Sequence, residues 1–95
     1  MGFREVKRIL NIFLKDENIE ELTLKFENPL KITLDEYNEL TRNFKLIDAK
    51  NDCWISINMF MYYDLSKTVV KLIIHFYSDY DTINVYEINL FHEKR

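Results

Sequence analysis

One glycine, one proline, one cysteine and two histidines in 95 residues exclude a good deal of chemistry before any pattern is read. P-loops and dinucleotide fingerprints need glycines where the backbone closes on a phosphate, and the only glycine here is Gly2. The lone Cys53 forms no internal disulfide, and with His75 and His92 it cannot complete a closed zinc site. No metal and no cofactor is therefore expected, and the thiol fits a reducing compartment. Nowhere do about 18 apolar residues follow one another, as a membrane-spanning helix requires. Met1-Gly2-Phe3-Arg4 lacks the apolar segment of an export signal, and the residues after Gly2 lack the Ser or Thr of a myristoylation signal. The expectation is a cytoplasmic protein without a membrane partner.

What is present is a chain 47% hydrophobic and 15% aromatic. That composition belongs to one globular domain, residues 1–95, near the small end of what buries a core. Abundant Ile, Asn, Lys, Tyr and Phe lean towards AT-rich coding, as in a low-GC bacterium or its phages and mobile elements. The net charge of -3 is unevenly spread. Residues 1–15 hold Arg4, Lys7, Arg8 and Lys15 against Glu5, whereas residues 16–40 hold eight acids against Lys25 and Lys31. Blocks of opposite sign in a small domain commonly neutralise each other across the fold.

The organising stretch is Cys53 to Ser78, two alternating runs separated by Asp64-Leu65-Ser66-Lys67. Folded back about Leu65-Ser66, it pairs Ile55 with Phe76, Ile57 with Ile74, Met59 with Leu72 and Met61 with Val70, an apolar face suited to a core. Cys53 then lies opposite Ser78 on that core face, a buried structural thiol. The other face carries Trp54, Ser56, Asn58, Phe60 and Tyr62 against Tyr77, His75, Ile73, Lys71 and Val69. In a last strand from Ile83 to Phe91, a three-residue loop 79–81 would place Tyr86, Ile88 and Leu90 on the core side. Ile83, Val85, Glu87, Asn89 and Phe91 would then join the mixed face.

Upstream, Phe3, Val6, Ile9, Leu10, Phe13 and Leu14 fall on one arc of a helix whose other arc is basic; Asn18 offers a left-handed stop. Leu22 to Phe26 alternates as a strand, Asn28-Pro29 turns, and any strand from Leu30 to Ile32 begins there or sits at an edge. Thr33-Leu34-Asp35-Glu36 reads as a capping box opening a helix from about Leu34 to Asn43, with Leu34, Tyr37, Leu40 and Phe44 inward. Leu46 to Ala49 is a short strand. The fold expected is α+β, an antiparallel sheet of about four to six strands with two amphipathic helices packed on one face. The helices are required, because ordering the strands costs more than one buried face returns.

Enzyme chemistry finds little support. Cys53 and His75 would face opposite sides of the sheet, and His75 beside Ser56 and Glu87 reads first as a satisfied polar cluster. A non-enzymatic protein-binding module is expected, using the aromatic residues Trp54, Phe60, Tyr62, Ile73 and Tyr77, a composition typical of interface cores. A protein partner or a homodimer would bind there or along an edge strand. The size, acidity and glycine poverty match inhibitors and immunity proteins, anti-CRISPR-like or toxin-neutralising, by analogy of class. Glu20, Glu21, Asp35, Glu36 and Glu39 would offer such an inhibitor an acidic, phosphate-like surface. The alternative is a nucleic-acid or nucleotide binder using Arg4, Lys7, Arg8 and Lys15 with Trp54 or Tyr77 stacking, which the acidic net charge disfavours.

Overall fold

A computed structural model describes residues 1–63 and 68–94, with the side chains of Tyr63, Thr68 and Lys94 left aside. The expected reversal at Asp64–Lys67 lies outside the described residues. The elements are α1 (Phe3–Lys15), β1 (Glu21–Thr33), α2 (Leu34–Thr41), β2 (Lys45–Asp52), β3 (Ile55–Tyr63), β4 (Thr68–Asp79) and β5 (Thr82–Lys94). The strands form one antiparallel sheet in the order β1-β5-β4-β3-β2. Both helices lie on one face, where Val6, Leu10, Phe13, Tyr37 and Leu40 meet Leu72, Ile74, Ile88 and Leu90 in a single core. The α+β expectation, with two helices on one side, holds.

Local chemistry sets the element ends. The capping box is formed: Glu36 N–H donates to Thr33 Oγ1 at 3.1 Å and Thr33 N–H to Glu36 Oε1 at 2.9 Å. α1 ends without a left-handed residue; Asp16 takes extended angles while its N–H still reaches the carbonyls of Ile12 and Phe13. Asn28-Pro29 does not divide β1 in two, because β1 is an edge strand and absorbs the interruption as an irregularity between Lys25 and Leu30. α2 is two residues shorter than expected, and Leu34 is exposed rather than inward.

The central hairpin is shifted by one residue from the expected register. Ser56 pairs with Phe76, Asn58 with Ile74, Phe60 with Leu72 and Tyr62 with Val70. Since side chains alternate, one step exchanges the faces of β3. Phe60, 6% exposed, is core, and Tyr62 packs on Phe44 with ring centroids 5.7 Å apart. Tyr37 explains the choice. Its ring lies 6.2 Å from Phe60 and 5.5 Å from Phe76, and its hydroxyl accepts a 2.8 Å hydrogen bond from Asn58 Nδ2, satisfying the polar residue this register takes inside. Burial pushes the Tyr37 phenol above its ordinary pKa, with the Asn58 bond acting the other way.

β5 departs from expectation for a related reason. Its turn holds two residues, Tyr80-Asp81, so Phe76 pairs with Val85 and Ser78 with Ile83. Ile83 and Val85 are thereby buried in the core rather than placed on the mixed face. Keeping Ile88 and Leu90 inside as well demands one extra residue. A bulge at Tyr86 supplies it, where the register shifts between His75 and Phe76. Tyr86 consequently leaves the core side and sits against His75, ring centroids 5.9 Å apart.

Both two-residue hairpin turns open on a left-handed residue that is not glycine: Cys53 at φ 57° and Tyr80 at φ 55°. Cys53 is thus an exposed turn residue and not a buried structural thiol. A left-handed conformation costs a non-glycine residue about 1–2 kcal/mol, and the fully exposed Tyr80 side chain recovers none of it by packing. Tyr80→Gly is therefore expected to stabilise the fold by about 0.5–1 kcal/mol after the unfolded-state entropy of glycine is charged against it. A denaturation midpoint unchanged or lowered would contradict that accounting.

Candidate functional site

With both helices on the inner face, the outer face of the sheet has no element of the described chain packed over it. The register displays there the residues of β3 that the expected pairing had turned inward. Ile55, Ile57, Met59 and Met61 are each half-buried, with Met59 beside Ile73, Ile57 beside His75 and Met61 beside Lys71. Trp54, in the turn before β3 and 67% exposed, stands edge-on to Tyr77 with ring centroids 5.2 Å apart. An apolar strip therefore runs along β3 and β4 and ends on an aromatic pair.

The β5–β1 half of the same face is polar and internally bonded. His75 Nε2 lies 2.7 Å from Asn89 Oδ1 and 3.6 Å from Glu87 Oε2. Asn89 Nδ2 donates to Thr23 Oγ1 at 3.2 Å, and Lys25 approaches Glu87 at 4.0 Å. Partial burial, then the Glu87 charge, raises the Tyr86 phenol above its ordinary pKa. Lys71 pairs with Glu93 at 2.9 Å. Ser56 takes no part; it faces inward and donates to Asn51 Oδ1 at 2.6 Å. Among the described residues no group of three or more His, Cys, Asp or Glu could hold a metal.

Of the five expected partner-binding residues, Trp54, Ile73 and Tyr77 share this outer face, whereas Phe60 and Tyr62 belong beneath α2. The acidic set does not assemble. Glu20 and Glu21 stand at the start of the 13-residue β1 and Asp35 and Glu36 just beyond its end, roughly 30 Å away, because the irregular β1 runs only from Phe91 to Thr82 along β5. Glu39 is paired with Lys7, whose hydrogen bond and charge hold its carboxyl below the usual range, with Arg42 adding to the effect. Arg4, Lys7, Arg8 and Lys15 do share one side of α1, around a shallow concavity with Asn11 and Ile12. His75 and His92 face opposite sides of the sheet. His92 is on the helix side, stacked on Phe13.

Both sheet edges are irregular: β1 around Pro29, and β2 between Leu46 and Asp48, where Lys45 and Lys50 flank the shift. Such features discourage the addition of a further strand, which makes the open face, not an edge, the candidate docking surface.

A model for a family described as a protein of unknown function, DUF1374, matches residues 2–93. The chain belongs to the DUF1374 family. A relative 44% identical across the whole of both sequences is "Uncharacterized protein 95" of Sulfolobus islandicus rod-shaped virus 1. Another, 30% identical over 83 residues, is "Uncharacterized protein 14" of Sulfolobus islandicus filamentous virus, with 87% of this chain and 74% of that protein covered. Among solved structures, ORF14 of the same filamentous virus matches this DUF1374 chain with a TM-score of 0.87 and 28% identity, over 99% of this chain and 86% of that one. ORF-99 of the archaeal virus AFV1, described as thermo- and acido-stable, has a TM-score of 0.82 at 17% identity over 96% and 94% of the two chains, and so shares the fold. The relatives are viral, as the compositional lean towards mobile elements suggested, but their setting is archaeal and not bacterial. No helix among the described residues of the DUF1374 chain is long and apolar enough to cross a membrane.

Proposed function

We propose that this DUF1374 protein is a non-catalytic viral inhibitor that binds a host protein through the outer face of its sheet, in the manner of an anti-CRISPR or toxin-neutralising protein. The observation that carries this reading is the uncovered strip of Ile55, Ile57, Met59, Met61 and Ile73 ending on the Trp54–Tyr77 pair. These five side chains are only half-buried, on a face over which no described element packs, and an interface would remove the rest of their apolar surface from water. The viral relatives favour a host-directed role. The dispersed carboxylates give phosphate mimicry by residues 16–39 less support than the apolar face has. A second copy of the chain is the other occupant of the same surface.

The test compares wild type with the Trp54→Ala, Tyr77→Ala double variant in affinity capture from host extract and in light scattering at several concentrations. Trp54 is mostly exposed, so the variant is expected to stay folded. Aromatic anchors of this kind are commonly worth about 2 kcal/mol or more, so partner or self-association should weaken by about 30-fold or more. A folded variant with undiminished capture and assembly would refute the proposal.

A further inference from the structure

Of the four cations on the outer side of α1, one is tied to another element among the described residues. Lys7 bridges to Glu39 on α2, but Arg4, Arg8 and Lys15 make no ion pair or side-chain hydrogen bond with a described residue. Helix electrostatics accounts for one of the three. Lys15 in the last turn complements the helix dipole, whereas Arg4 lies in the first turn, where a cation is disfavoured, and Arg8 lies beyond it, where the dipole adds little. Gly2 at the N-cap offers no side-chain hydrogen bond, and Glu5 is the acid that the first turn supplies. The result is a continuous positive strip lining one concavity with Asn11 and Ile12.

Its dimensions suit a linear array of anions. At 1.5 Å rise per residue, Arg4 and Arg8 are about 6 Å apart along the axis and Lys15 about 10 Å further on. The strip thus sets three cations along roughly 16 Å of helix, enough for about three phosphates followed along one strand. We propose that the outer stripe of α1 holds the phosphodiester backbone of a nucleic acid, without base readout, as a second surface separate from the sheet face. Arg4 and Arg8 supply forked donors to phosphate oxygens and Lys15 a point charge. No aromatic side chain lies in the stripe, so it offers no surface on which bases stack.

The experiment is fluorescence anisotropy with a labelled 20-nucleotide single strand and a 20-base-pair duplex, between 25 and 200 mM salt. Three phosphate contacts predict that affinity falls about 40-fold for the duplex and about 20-fold for the single strand between 50 and 200 mM. R4E/R8E should weaken binding at least about tenfold at 50 mM salt and flatten that dependence. K50E, on β2 at the sheet edge opposite β1, should leave it alone. Circular dichroism checks that the exposed substitutions leave the fold intact. Absence of wild-type binding at 25 mM salt would overturn the proposal, as would an R4E/R8E variant with the wild-type salt slope. Displacement of the oligonucleotide by polyglutamate at equal charge would also overturn it, by assigning the stripe to an acidic protein. Because no protein partner enters the assay, its failure leaves the reading of the sheet face untouched.

Discussion

Phe60→Ala is expected to cost about 3–5 kcal/mol of stability, while Met59→Ala, one residue earlier on the same strand, costs less than about 1 kcal/mol. Phe60 is enclosed by Leu72 in register and by the Tyr37 ring above it, so its removal deletes a whole aromatic side chain from a site that cannot collapse around the loss. Met59 lies on the outer face beside Ile73, where truncation leaves no closed cavity and the loss resembles that of an ordinary surface change. Paired urea denaturation curves read the difference directly. The register first expected reverses the order, with Met59 buried against Leu72 and Phe60 outside. Equal losses, or the larger loss at Met59, would therefore reject the pairing of β3 with β4 on which the candidate site rests.

What could be read from the chain depended on whether a signal was local or shared between elements. The capping box at Thr33–Glu36 and the apolar arc of α1 are complete within a few residues, and both are found where the spacing put them. The face of β3 is different. Ile55, Ile57, Met59 and Met61 are greasier as a set than Ser56, Asn58, Phe60 and Tyr62, and hydrophobicity alone turns the first set inward. The second set wins because Tyr37 of α2 brings its ring to Phe60 and its hydroxyl to Asn58, and Phe44, in the link from α2 to β2, meets Tyr62. None of those partners is adjacent in sequence. One long-range feature did leave a mark: Ile83 and Val85 are odd-numbered, Ile88 and Leu90 even. A change of parity within one apolar strand requires a bulge between them. The outer residues Ile55, Ile57, Met59 and Met61, absent from the expected site, follow once Phe60 is assigned to the core.

The second large loss is expected at the junction of α1 with the sheet, where Phe13→Ala should cost about 3–5 kcal/mol. Phe13 is 1% exposed, and its ring stacks on His92 at 4.2 Å between centroids with only 12° between the planes. His92 in turn fastens the link between α1 and β1. Its N–H donates to the Glu20 carbonyl at 2.8 Å, and its Nδ1 lies 2.6 Å from the Ile19 carbonyl. A carbonyl only accepts, so Nδ1 carries the proton, and Nε2 is left buried without a partner among the described residues. Phe13 therefore does two things: it fills space, and it holds flat an imidazole with one unsatisfied edge. Removing it exposes the stacked ring as well as creating a cavity, so Phe13→Ala and His92→Ala should not be additive. Their double-mutant cycle should return a coupling of about 0.5–1.5 kcal/mol, the range of an aromatic pair beyond its buried area. Additive losses would mean that the two rings are neighbours without mutual support, and that the link from α1 to β1 is held by the Ile19 and Glu20 carbonyls alone.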